Sequence, residues 1–228
     1  MIDLMPNERE EALSIVQMLF SYGFKEAITY QKDDHYSIDL WHWKREHQEL
    51  LDRLNLSLDS GETKACIFYD SEDWVIKIGF QRAGHTDFCQ LEASYYEKAC
   101  CNNLQNYFAT TVSAGFVDGV EVFLQEKVYV DEDRVSDKIY SYVAAQYPKE
   151  DWPDEEDRED RIASSVEYCD DDDIVIATLG EVDDMNDLLD FLYEHDINDL
   201  HSGNWGMTDD GRMVMIDFSG YSWERSAA

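Results

Sequence analysis

Asp199-Leu200-His201-Ser202-Gly203-Asn204-Trp205-Gly206, followed by Met213-Val214-Met215-Ile216-Asp217-Phe218-Ser219-Gly220, is the stretch that decides how this chain reads. Asp199 and Asn204 stand five positions apart across a turn-rich loop, and Asp217 stands thirteen positions beyond Asn204, at the end of a short apolar strand. Two carboxylates and one amide can therefore meet beyond a sheet edge. Hard Mg2+ prefers such oxygen ligands and fills the rest of its shell with water and phosphate oxygens. Asp217 suits direct metal binding. Asn204 adds a neutral oxygen without another charge. Asp199 suits orienting a hydroxyl nucleophile and accepting its proton late in phosphoryl transfer.

Working outward, the segments KACIFY (64–69) and WVIKIGF (74–80) predict two strands joined by the polar turn DSED. Lys77 sits between apolar neighbours, and a lysine in such a strand needs a reason. It either reaches into a phosphate-binding cleft or lies on a solvated face, since period-two alternation permits both. A helical pattern runs from Cys89 to Tyr107, and VEVFLQEKVYV (120–130) predicts a further strand. The order strand, strand, helix, strand implies a small, mostly antiparallel sheet crossed by one helix.

Toward the N-terminus, Asn7 to Leu19 predicts a helix with Leu13, Val16, Leu19 and Phe20 on one side, and Trp43 to Leu54 predicts a second with Leu50, Leu51 and Leu54 spaced for packing. Both are expected to support the domain behind them. Between Glu150 and Asp173 there are thirteen acidic residues and two basic ones. So dense a run is expected to be a solvated linker, with a recognition surface for a basic partner as the competing reading. MNDLLDFLYEH (185–195) predicts a helix with Leu188, Leu189 and Leu192 turned inward.

Lys77, Asp199, Asn204 and Asp217, with their spacing, resemble the protein-kinase-like superfamily, most of all the small serine/threonine kinases encoded by bacteriophages. The resemblance covers roughly Leu58 to Tyr221. It implies that Lys77 is the strand lysine that contacts ATP phosphates, Asp199 the catalytic-loop aspartate, and Asn204 and Asp217 the metal ligands. The family also holds its strand lysine with a helix glutamate, which places that role on Glu92, with Glu97 as runner-up. Gly61 in SLDSGETKA stands where a glycine-rich loop covers the phosphates, and backbone groups near Glu126 to Val128 stand where adenine is held. ATP and Mg2+ are the implied cofactors.

The departures are specific. The G-x-G-x-x-G loop is absent, Asn198 replaces the basic residue before the catalytic aspartate, His201 takes a position commonly held by lysine, and Ser219 stands for the usual glycine. The chain ends eight residues after Gly220. The expected architecture is therefore α+β: a compact kinase-like fold with a small antiparallel-sheet lobe and a truncated helical C-terminal lobe. The expected segments are an N-terminal helical extension (1–57), an N-lobe (58–130), an acidic insert or linker (131–182) and a minimal catalytic C-lobe (183–228).

Composition bounds the partners. The 228 residues carry 51 acidic and 18 basic side chains, a formal net charge of −33, with 44% hydrophobic residues, enough to build a core. Direct nucleic-acid binding is not expected against that charge. A protein substrate or a basic host protein is. No segment approaches a membrane span, and five cysteines without zinc-ligand spacing suit reduced thiols in a cytoplasm, that of an infected bacterium if the resemblance holds. Two other functions remain open: a small-molecule phosphotransferase, which DLHSGN also resembles, and an acidic kinase-like protein that binds or inhibits a nucleic-acid-binding host protein.

Overall fold

The computed structural model describes residues 6–30, 39–71, 73–85, 87–152 and 154–219. The chain is α+β, and its described residues divide into two units, the first lying within residues 6–105 and 109–127, the second within residues 106–108 and 128–219. Among the described residues no helix is long and apolar enough to cross a membrane.

The first unit is built on one antiparallel sheet. Its strands are β1 (Ser57–Ser60), β2 (Lys64–Phe68), β3 (Trp74–Gly79), β4 (Thr111–Val117) and β5 (Val120–Glu126), in the order β1-β2-β3-β5-β4. All six residues of β3 are buried, which requires cover on both faces of the sheet. One face carries Ala65, Ile67, Ile76, Ile78, Val122 and Leu124, and it packs with Ala12, Val16, Leu19 and Phe20 of α1 (Pro6–Ser21). Phe24 of α2 (Phe24–Ala27), Leu40 and Trp43 of α3 (Leu40–Glu46) and Leu51 of α4 (Gln48–Arg53) join the same core. The N-terminal helices thus support the sheet, as their apolar spacing predicts. The helix expected over Trp43 to Leu54 is two helices, interrupted at His47. That ring stacks on Trp43 at 4.5 Å between centroids, and its Nδ1 lies 2.9 Å from the Trp43 carbonyl, so a side chain meets the carbonyl at the break.

The helix α5 (Phe88–Cys101) packs beside β3, β4 and β5. Asp87 caps it, accepting from the backbone N–H groups of Cys89 at 2.8 Å and Gln90 at 3.3 Å. Gly79 makes room for this cap: a Cβ there would stand 2.0 Å from Asp87 Oδ1. Burial raises the Asp87 pKa from 3.8, against the lowering effect of these N–H donors and of Gln81. Asp87→Ala should therefore cost about 1–2 kcal/mol in urea unfolding, whereas Asp87→Asn keeps a capping oxygen. A raised folded-state pKa means the native state binds its proton more tightly than the unfolded chain. Wild type should accordingly gain stability relative to Asp87→Asn as pH falls through the folded pKa toward 3.8.

Two strands escape the sequence reading. β1 occupies residues assigned to a phosphate loop. β4 is diluted by Ser113 and Gly115, where a bulge shifts the register and Gly115 takes φ 135°.

The second unit contains α6 (Glu132–Ala145), α7 (Glu155–Glu167), α8 (Asp171–Leu179), α9 (Met185–Glu194) and a hairpin of β6 (Trp205–Met207) and β7 (Met213–Met215). Where the sequence leaves 131–182 as an acidic insert or linker, the described residues form three helices, with α7 and α8 packed on α6. The acids explain how. Asp154 and Asp170 are N-caps, and Glu155, Glu156 and Asp157 in α7 and Asp171, Asp172 and Asp173 in α8 occupy first turns. There the helix dipole favours negative charge.

Candidate functional site

In the first unit, three charges are buried together. Lys77 on β3 is 5% exposed, Lys64 on β2 is 3% exposed, and Glu92 on α5 is 0% exposed. Lys77 Nζ donates to Glu92 Oε2 at 3.0 Å, and Lys64 Nζ donates to Glu92 Oε1. Register explains the meeting: Cys66 pairs with Lys77 and Lys64 with Gly79, so both lysines leave the same face of the sheet, the face toward α5. Glu92 is thus the glutamate on Lys77, and Glu97 is exposed on the same helix. Desolvating these ions costs several kcal/mol each, and the contacts offset that cost. The Cys89 thiol, fully buried beside them, is pushed well above its ordinary pKa by burial and stays protonated.

Lys64 was not legible as a site residue. The sequence shows the polar lysine at the head of KACIF, but only the strand register sets it on the face of Lys77. Gly61 lies at the β1–β2 turn, its N–H donating to the Lys64 carbonyl at 3.2 Å, and a Cβ there would meet nothing within 4 Å. The fold places no demand for glycine at that position.

The boundary between units falls between Lys127 and Val128, so the two adenine-site candidates Glu126 and Val128 belong to different units. The Glu126 N–H donates to the Thr110 carbonyl and the Lys127 N–H to the Asp73 carbonyl, both at 2.7 Å. Those two N–H donors are spent on the first unit's own backbone. Val128 lies against Gly206, where a Cβ would come within 2.2 Å of Val128 Cγ2.

In the second unit, the loop after α9 presents Asp199 and Asn204. Trp205, fully buried, donates its Nε1–H to the Leu200 carbonyl at 3.0 Å, and Asp171 accepts the Leu200 N–H at 3.3 Å. Asp171, from the acidic run, therefore helps to fix the loop. Burial raises its pKa, and the neighbouring Asp199 charge adds to the rise. Asn204 is buried, and its Nδ2 donates to the Asp199 carbonyl at 2.5 Å. Because that partner is an acceptor, the amide orientation is settled chemically, and Oδ1 is the atom left for a cation. The Asn204 carbonyl accepts from the Ile216 N–H at 2.9 Å, extending the β6–β7 ladder by one bond. Residues opposite one another in such a ladder are about 5 Å apart at Cα, and Asp217 is the next residue. Ser219 donates to Asp217 Oδ1 at 3.3 Å, and buried Phe218 packs edge-on against Phe108 at 5.1 Å.

The Asp199 side chain is 40% exposed. His201 Nδ1 accepts from the Gly203 N–H at 3.1 Å, so the neutral ring carries its proton on Nε2, 4.0 Å from Asp199 Oδ1. That separation is too long for a hydrogen bond. Among the described residues, no group of three or more His, Cys, Asp or Glu side chains is placed to hold a metal ion. The candidate cation ligands are one carboxylate and one amide. Gly220 lies outside the described residues.

A separate cavity of about 970 Å3 lies between α6 and α8, lined among others by Asp131, Arg134, Asp137, Lys138 and Glu181. It includes none of the residues singled out from the sequence. Lys138 in its wall donates to the Thr178 carbonyl at 2.5 Å.

No family model, no curated protein and no solved structure matches this chain.

Proposed function

We propose that this chain is an ATP- and Mg2+-dependent phosphotransferase that moves the γ-phosphate onto serine or threonine hydroxyls of a protein, on a kinase-like scaffold. The observation that carries this reading is the buried Lys77–Glu92 pair, a lysine on the third strand held by a glutamate on the helix that follows. Protein kinases require the same pairing of a third-strand lysine with a helix glutamate. Glu92 orients the Lys77 ammonium, which binds phosphate oxygens. In the second unit Asp199 orients the acceptor hydroxyl and takes its proton. Asn204 Oδ1 and the Asp217 carboxylate fit a hard cation that keeps its remaining shell for water and phosphate. Bound Mg2+ supplies neutralisation of phosphate charge, which a chain of net charge −33 otherwise repels.

The test is transfer of labelled γ-phosphate from ATP to the chain itself or to a Ser/Thr protein, in Mg2+ and in excess chelator. Wild type should label only with Mg2+. Asp217→Ala should lose about 10²–10³-fold or more in rate, with an unchanged circular dichroism spectrum. Equal labelling by this variant removes the metal role. Transfer confined to small hydroxyl compounds would replace the protein substrate with a small one.

A second reading concerns the partner. Glu155, Glu156, Asp157, Glu159 and Asp160 are all exposed on α7, while Arg158 and Ile162 are buried. This helix presents an acidic face suited to a basic protein surface, such as that of a nucleic-acid-binding host protein. Changing these five acids to Asn or Gln should slow association with a basic protein captured from bacterial lysate about tenfold or more at low salt, and less at physiological salt, where the screening length is about 8 Å. ATP binding should not change. An unaltered association rate would leave the acids with only their helix-capping and solvating roles.

A further inference from the structure

The cavity between α6 and α8 contains none of the residues given a role in phosphoryl transfer. We propose that it binds a small bipolar molecule, one that carries an ammonium group and an anionic group, carboxylate or phosphate, at the two ends of a short apolar linker. The site is separate from the residues proposed for ATP and Mg2+, and its test uses no nucleotide.

The charges in the wall are the starting point. Asp133 and Asp137 stand one turn apart on α6, and so do Arg134 and Lys138. The helix therefore brings an acidic row and a basic row to the cavity side by side. Glu181, just beyond α8, adds another carboxylate. Opposite charges that share one wall have every electrostatic reason to pair, in a chain with 51 acidic and only 18 basic residues above all. Yet among the described residues Arg134 and Lys138 form no ion pair, and the side chains of Asp133, Asp137 and Glu181 form neither an ion pair nor a hydrogen bond. The two cations touch uncharged atoms instead: Arg134 Nη1 donates to Met207 Sδ at 3.4 Å, and Lys138 Nζ to the Thr178 carbonyl at 2.5 Å. Consecutive helix residues do not face one another, which keeps Asp133 from Arg134 and Asp137 from Lys138. Burial lowers the Lys138 pKa, and the Arg134 charge lowers it further.

The space between these charges suits a small molecule. At about 970 Å3 the cavity has the size of a ligand site, and half-buried Tyr142, Ile176 and Ala177 give it an apolar side. Its walls are pinned together by the Lys138–Thr178 bond and by the Tyr142 hydroxyl, which donates to Asp173 Oδ1 at 2.9 Å. The space is thus formed in advance, and a ligand has little to order on entry. A ligand of one sign would be drawn to one row and repelled by the other. A bipolar ligand places its anion on Arg134 and Lys138, its ammonium on Asp133 or Asp137, and its linker over Ile176 and Ala177.

Calorimetry on the full chain would compare 4-aminobutyrate and 3-aminopropylphosphonate, which carry both charges, with butyrate, propylphosphonate and propylamine, which carry charge of one sign. At least one bipolar probe should bind, and the tighter of the two identifies the anionic group. Each single-sign probe should bind about tenfold or more weakly than its bipolar counterpart. Arg134→Gln and Asp137→Asn, both at exposed positions, should each weaken the bipolar probe about tenfold or more, with unchanged circular dichroism. Asp160→Asn, exposed on α7 and outside the cavity, should change nothing. Failure of both bipolar probes to bind, or equal binding of the single-sign probes, would overturn the proposal. So would undiminished binding by both Arg134→Gln and Asp137→Asn, which would place the ligand elsewhere.

Discussion

Replacing Glu92 by Ala is expected to lower the unfolding free energy by about 3–5 kcal/mol. The carboxylate is completely buried and is the shared acceptor of two buried ammoniums. Its removal leaves both lysines short of that counter-charge in a region they cannot leave without opening the contact between α5 and the sheet. Such a loss is a large part of the roughly 5–15 kcal/mol that holds a typical domain together. Glu92→Gln should cost less, because the amide oxygen still accepts one hydrogen bond. Glu97→Ala, on the exposed face of the same helix, should be neutral within about 0.5 kcal/mol. Urea titrations followed by circular dichroism and by tryptophan fluorescence would read all three. An unfolding midpoint for Glu92→Ala equal to that of wild type would show that the buried triad contributes nothing to stability.

The second large effect is catalytic. Lys77→Met should reduce ATP-dependent phosphoryl transfer by about 10²–10³-fold or more, since an oriented cation at developing phosphate charge is worth that much. Unlike Glu92→Ala, it should leave the fold nearly intact. Lys64 remains on Glu92, so the carboxylate keeps a counter-charge. Methionine refills most of the volume of the lysine's apolar stem. Loss of transfer with retained unfolding midpoint is the pattern that separates a phosphate contact from a structural ion pair. Undiminished transfer by Lys77→Met would remove Lys77 from the mechanism.

How much of this was legible in the sequence depended on whether the signal was local. The strand pair around Lys77 and the helix carrying Glu92 follow from period and apolar content, and both formed. The choice between Glu92 and Glu97 was not legible, because it depends on the angle at which α5 meets the sheet. Lys64 was invisible for the same reason: its face is set by pairing with Gly79, a long-range fact. β4 was hidden because Gly115 weakens its pattern locally while the β4–β5 ladder holds it in place. The acidic middle misled in the opposite direction. Charge density there reads as a solvated linker, yet Asp154, Asp170 and the first-turn acids use that charge to start helices. Asp171 gives no sequence signal at all for its bond to the Leu200 N–H, which ties α8 to the loop carrying Asp199.

The order of synthesis gives the N-terminal helices a particular exposure. α1 to α4 leave the ribosome before any strand of the sheet whose apolar face they cover. The last strand of that sheet, β5, closes at Glu126, more than seventy residues after the end of α4 at Arg53. At about 5–20 residues per second, that interval lasts roughly 4–15 s. During it, Val16, Leu19, Phe20, Phe24 and Trp43 have no completed surface to rest on. A nascent chain of this protein therefore carries an uncovered aromatic and aliphatic patch for seconds, long enough for chaperones that bind emerging apolar segments to engage it first.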